Sequence, residues 1–191
     1  YTAAGVSNLG NEVVTINDSG SVAAADLTTV GDATVGAVTA SSVATVTGTA
    51  AAVIAAYADI ENGLGNEAIN INDGTASVAQ ARSLNGLTSA IVTATITGTE
   101  TISAILNTDT GINESGGSNA YAITIAGADS TATAANLNSV NALTTVAVDA
   151  TAVTTVTGDL SDLVTLYTAA GVSNLGNEVV TINDSGSVAA A

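Results

Sequence analysis

Asn11-Glu12-Val13-Val14-Thr15-Ile16-Asn17-Asp18 is a strand pattern that recurs along the chain. Val14 and Ile16 fall on one side of an extended backbone and Thr15 and Asn17 on the other, the period-two alternation of a half-buried strand. Asn66-Glu67-Ala68-Ile69-Asn70-Ile71-Asn72-Asp73 repeats it, Asn119-Ala120-Tyr121-Ala122-Ile123-Thr124-Ile125 is a looser copy, and a further copy begins at Asn177. The copies divide the array into internal units 11–65, 66–118 and 119–176, with 177–191 starting the next block.

Further out, residues 1–25 and residues 167–191 are identical letter for letter, an offset of 166 residues from Tyr1 to Tyr167. Such identity leads us to expect a tandem array, of which residues 1–191 are a window cut from a longer parent.

Between the strand copies lie Ala44-Thr45-Val46-Thr47-Gly48, Ala94-Thr95-Ile96-Thr97-Gly98 and Thr154-Thr155-Val156-Thr157-Gly158. Counting these as strands gives about six coils of roughly 28 residues per 166-residue repeat, within the range of solenoid periods. Polar turns with Gly follow the strands. Apolar residues at helical spacing come next: Leu137, Val140 and Leu143; Leu160, Leu163 and Leu166; Ile102, Ile105 and Leu106. These predict short Ala-rich helices with one apolar stripe, capped by Thr49, Thr99 and Asp159. Extended pieces at Gly36-Ala37-Val38-Thr39 and Val146-Ala147-Val148-Asp149 add a strand to alternate coils. The expected fold is an α/β solenoid of stacked parallel strands and short helices, the alternative being a mostly-β parallel solenoid.

Composition narrows the function. Hydrophobic residues make up 47% and charged residues 9%, the reverse of a disordered chain. Cys, Met, Trp, Phe, Pro, His and Lys are absent and only four Tyr are present, so the core must be thin and built from Val, Ile, Leu and Ala. A net charge of −16 with Arg82 as the single cation argues against nucleic acid as partner. No apolar run is long enough to span a membrane. Without His, Lys or Cys, no base or thiolate stands beside a nucleophile, and the chain is expected not to be an enzyme.

Two constellations remain. If the strands stack in the order read, one outward ladder holds Thr15, Thr45, Asn70, Thr95, Thr124 and Thr155, and a second holds Asn17, Thr47, Asn72, Thr97, Ala126 and Thr157. Thr fits a pleated surface and hydrogen-bonds along a stack, so the ladders are first a structural device. Ice-binding faces use Thr-x-Thr arrays, but the Asn at 17, 70 and 72 and Ala126 break the regularity. The acidic turns at Asp18, Asp73, Asp129 and Asp184 are the candidate metal ligands, with calcium as the one cofactor to consider. An Asx-turn explains the same residues without metal, and the spacing fits neither an EF-hand nor a calcium-binding β-roll.

Asn-Glu-Val-Val-Thr-Ile-Asn-Asp at 11–18, Thr-Ala-Ala-Asn-Leu-Asn-Ser-Val at 133–140 and Val-Thr-Thr-Val-Thr-Gly-Asp-Leu at 153–160 resemble the Ala/Thr/Val-rich tandem arrays of giant bacterial, cyanobacterial-type, cell-surface proteins. That resemblance implies an extracellular or cell-surface location and filament formation, often with calcium. The expected function is a structural repeat segment whose partners are adjacent repeats or copies of itself. The alternative is an adhesin stalk or a glycan- or ice-binding module using the Thr/Asn ladder.

Overall fold

Branched Val and Ile alternating with Thr and Asn pair into parallel strands, and Ala-rich stretches between them close into helices. A computed structural model describes residues 10–60, 62–112 and 118–184. In chain order the first elements are β1 (Val14–Thr15), β2 (Ser21–Ala23), α1 (Ala24–Ala33), β3 (Val38–Thr39), β4 (Thr45–Gly48), α2 (Ala50–Asp59), β5 (Ala68–Ile71), α3 (Val78–Asn85) and β6 (Val92–Thr95). They are followed by α4 (Ile102–Ile105), β7 (Ala120–Ala122), β8 (Thr131–Thr133), α5 (Ala134–Asn141), β9 (Val148–Asp149), β10 (Thr155–Gly158), α6 (Leu160–Thr168), β11 (Val172–Ser173) and β12 (Val179–Ile182). The chain forms two compact units, Tyr1–Ala76 with Gln80–Ala94, and Ser77–Ala79 with Thr95–Ala191.

In the first unit β1 pairs with β3, while β2, β4, β5 and β6 lie side by side, every pairing parallel. In the second, β8, β10 and β12 form one parallel sheet and β9 and β11 another. Parallel neighbours need a crossover, and a short helix supplies it in each step. The arrangement is α/β.

The step is shorter than strand counting implied. Val14 pairs with Val38, Val22 with Val46, Val46 with Ile69 and Val156 with Val180, so paired residues stand 23 or 24 positions apart. Among the strands outside the sequence reading are β2 and β8. Each is three residues of small side chains running directly into a helix, with no turn residue to mark the boundary.

The core is thin. Val46, Ile69 and Val92 are in register on three adjacent strands and none is accessible to solvent. Burying each side chain contributes about 1.5–3 kcal/mol. The helices present small residues to their neighbours: Ala24, Leu27, Ala50, Val53 and Ala56 are buried in the first unit, and Ala134, Leu137, Val140, Leu163 and Leu166 in the second. Backbones approach closely enough that a Cβ built on Gly36 would lie 2.2 Å from the Glu12 carbonyl oxygen, which restricts that site to glycine.

Helix caps came partly as expected. Thr49 accepts from Ala52 N–H at 3.1 Å. Thr99 lies in a turn, and the residue capping α4 is Thr101, which accepts from Ala104 N–H at 3.2 Å. Asp159 stands at the start of α6, but its side chain makes no capping bond.

Candidate functional site

The polar ladders exist in a different register from the one read off the sequence. Thr47 stands beside Ala23 and Asn70, and Asn70 beside Thr93. Thr45 pairs with Ser21 and Ala68 rather than with Asn70, and Thr15 pairs with Thr39 rather than with Thr45. Thr124 bridges to Asp149, and Thr155 lies between Thr131 and Val179. The continuous polar run of the second unit is Thr133-Thr157-Thr181. Asn17, Asn72 and Thr95 are exposed, Asn17 and Asn72 outside the strands and Thr95 at the end of β6. Thr97 follows β6 outside any strand. A slip of two residues keeps every side chain on its proper face, so alternation alone does not fix register.

The acidic turns do not gather. Among the described residues no group of three His, Cys, Asp or Glu side chains is placed to hold a metal ion. Asp18 and Asp73 are exposed. Ser185 and Gly186, which follow Asp184 in the last such turn, lie outside the described residues. Asp129 and Asp184 have another role. Asp129 Oδ2 accepts from Ile102 N–H at 2.7 Å at the start of α4, and Asp184 Oδ2 accepts from Leu160 N–H at 2.6 Å at the start of α6. Glu100 Oε1 does the same for Val78 N–H of α3 at 3.2 Å. In each case a carboxylate 22 to 27 residues downstream completes the orphan N–H groups and meets the positive end of the helix.

A second recurring device was not recognised in the sequence. In Gly10-Asn11-Glu12, Gly65-Asn66-Glu67 and Gly176-Asn177-Glu178 the Glu carboxylate folds back onto the two preceding N–H groups. The Gly donor distances are 2.6 Å in the first, 2.9 Å to Oε2 in the second and 2.5 Å in the third. The Asn N–H groups donate at 3.1, 3.1 and 3.0 Å. All three Gly have positive φ, between 129° and 139°, which is why no other residue holds the position well. The Tyr57 hydroxyl donates to Glu67 and the Tyr167 hydroxyl to Glu178, tying the end of a helix to the following turn. Burial first, and then the Glu partner, raises both phenols above their ordinary value. Burial alone would raise the Glu178 carboxyl, but the Gly176, Tyr167 and Asn177 donors outweigh it and hold that carboxyl low. The Glu12 carboxyl is held low chiefly by Gly10 N–H.

A third device locks successive steps. Thr34, Thr88 and Thr144 donate to the carbonyls of Glu12, Glu67 and Tyr121 at 2.8, 2.6 and 2.7 Å. Each hydroxyl also accepts from the N–H two residues on, Gly36, Ala90 or Val146. Asp149 adds a surface link, accepting from Thr151 and from the Asn174 side chain at 2.8 Å. The Thr151 hydroxyl and then Asn174 hold its carboxyl low.

What these groups do chemically is tie chain to chain. His and Cys do not occur, and the carboxylates with hydrogen bonds spend them on backbone N–H groups, hydroxyls or amides. No protein family, curated protein or solved structure matches the chain. Among the described residues no helix is long and apolar enough to cross a membrane.

Proposed function

We propose that this chain is a structural repeat segment of an extracellular filament or giant surface protein, an α/β solenoid whose steps stack end to end into a stiff rod. The observation that carries the reading is the step-to-step bonding. Paired strands advance by 23 to 25 residues, and three of the steps are tied to the preceding one by the same Thr bond, from Thr34, Thr88 and Thr144. Such a stack gains stability with each added step and needs no further site to be useful. The 166-residue repeat at the sequence level supports it, as does a composition without thiols that could mispair outside a cell.

Joining two copies at the 166-residue offset tests this. Small-angle scattering should show the longest dimension growing in proportion to the number of blocks. Two blocks that fold into a compact, near-spherical particle would refute the reading. The runner-up, a binding face on the Thr ladders, is separated by Thr47→Lys, Thr93→Lys and Thr157→Lys, all on the paired strands. The structural reading expects rods of unchanged length, whereas loss of a ligand from intact rods would favour an adhesin.

A further inference from the structure

The same chain positions enclose a cleft twice, once in each compact unit. In the first unit one wall is the approach to β4, with Ser41, Val43 and Ala44. The other wall is the turn before β5, with Gly63, Leu64, Asn66 and Glu67. In the second unit Thr151, Val153 and Thr154 lead into β10 in the same way. They face Asn174, Leu175, Asn177 and Glu178 of the turn before β12. Ser41 answers to Thr151 and Val43 to Val153, an offset of 110, while Leu64 answers to Leu175 and Glu67 to Glu178, an offset of 111. The clefts measure about 540 and 490 Å³, within the range of about 300–1,000 Å³ usual for small-molecule sites.

The chain builds these walls deliberately. Each turn needs a left-handed residue at the rim of the cleft, Gly63 at φ 90° and Asn174 at φ 63°. Asn174 is the one non-glycine with positive φ among the described residues, and Asn tolerates that conformation better than most. Nor is the cleft a gap at the end of a stack. Around the first one both neighbouring steps are in place: Ala44 N–H donates to Gly20 O at 3.0 Å, and Ser89 N–H donates to Gly65 O at 2.8 Å. The cleft stays open between them.

The walls select by charge. Arg82, the single cation, lines neither cleft, so an anion would meet Glu67 or Glu178 and a net charge of −16 with nothing to offset them. A cation gains little, because both carboxylates are engaged. Glu67 accepts from the Gly65 and Asn66 N–H groups and the Tyr57 hydroxyl, and Glu178 from Gly176, Asn177 and Tyr167. The remaining surface is neutral. Ser41 makes no side-chain hydrogen bond to a described residue, and Asn66 uses its amide oxygen for the Ser89 hydroxyl at 2.9 Å while its amide nitrogen has no such partner. Half-buried Leu64 and Leu175 and nearly buried Val43 and Val153 supply apolar surface beside these groups. A pyranose ring has the same division, with hydroxyls round its edge and C–H groups on its faces.

We propose that the two clefts bind neutral saccharides, giving the array two such sites in every 166-residue block. In the first, Ser41 and Asn66 bond the sugar hydroxyls and Leu64 packs on a C–H face. In the second, Thr154 and Asn174 add polar groups where the first has Ala44 and Gly63, so it is the tighter of the two. This adds binding to the stacking function proposed above and does not depend on it. The Thr ladders take no part.

Methyl-resolved NMR of the full chain is the test, with maltose, cellobiose and N,N′-diacetylchitobiose as neutral probes and sialyllactose as the anionic one. The Leu64 and Leu175 methyl signals should shift with at least one neutral probe, Leu175 at the lower concentration, and with sialyllactose neither should move. Ala44→Tyr and Thr154→Tyr each place a ring in one cleft, at exposed positions. Each should abolish the shifts of its own cleft and leave those of the other, with the rest of the spectrum unchanged as the sign of a folded variant. Titration of the unmodified chain keeps the test independent of the variants. No shift with any neutral probe, or equal shifts with sialyllactose, would overturn the proposal. Shifts confined to Thr47 and Thr157, or shifts that survive both Tyr variants, would overturn it too, because the sugar would then lie outside the clefts. Scattering from the two joined blocks judges stacking separately, whichever of these results is found.

Discussion

Replacing Thr144 with Val removes one hydroxyl and keeps the branched shape. Thr144 is only 7% exposed, and its Oγ1 both donates to Tyr121 O at 2.7 Å and accepts from Val146 N–H at 3.1 Å. The variant leaves a carbonyl and an amide without that partner, at about 1–3 kcal/mol for each group that stays dry. The added methyl returns about 0.8 kcal/mol. A net loss of about 1–5 kcal/mol follows if both groups stay dry, a large fraction of a domain's usual stability. Thr144→Ser keeps both bonds, gives up one methyl and should cost about 1 kcal/mol. Thr145→Val is the neighbouring control. Its hydroxyl reaches Asn119 O at 3.2 Å from an exposed position, so the change should fall within about 0.5 kcal/mol. Urea unfolding followed by circular dichroism and tyrosine fluorescence reads all three, with a shifted midpoint at unchanged slope as the signature of a stability change. Tyr121, wholly buried in the same unit, reports the transition that should move. Equal losses for Thr144→Val and Thr145→Val, or a Ser variant as damaged as the Val variant, would refute the lock.

Three other outcomes follow from the same contacts. Tyr57 is raised above the ordinary 10.0 in the folded state, so the folded chain binds its proton more tightly than the unfolded one, and this stability, whole below pH 10, is lost as pH rises further; alkaline melts should show that limb flattened in Tyr57→Phe. Asp129→Ala should cost about 1 kcal/mol through the exposed start of α4, read as faster amide exchange at Ile102, and unchanged exchange there would count against the cap. Gly36→Ala places a methyl against the Glu12 carbonyl and should destabilise the first unit by about 1–3 kcal/mol, with Gly20→Ala, where nothing lies within 4 Å, as the tolerant comparison.

The amphipathic patterns carried over well into three dimensions. Leu137 and Val140 on α5, Leu163 and Leu166 on α6, and Ile102 and Ile105 on α4 are all buried, as their spacing predicts. The extended pieces near Val38 and Val148 are β3 and β9. Register was not legible, because Val46 can face Ile69 or Ile71 without changing which side is apolar, and only backbone bonding between distant residues selects Ile69. That choice moved every ladder partner. The Thr locks were hidden for a different reason: Thr34 and Thr144 look like loop residues until the preceding step is packed against them. The Gly-Asn-Glu device was visible in principle, since it occurs at 10–12, 65–67 and 176–178, with Tyr57 and Tyr167 standing 10 and 11 residues before Glu67 and Glu178. Spacing alone does not single it out, because a carboxylate beside its own turn makes no sequence motif of known chemistry.

Copies of this repeat should stack end to end, and electron microscopy of the native material would show whether they do. The expected result is filaments whose helical repeat contains a whole number of 166-residue blocks, with parallel strands spaced at about 4.8 Å along the stack. Isolated compact particles with no axial repeat would contradict it.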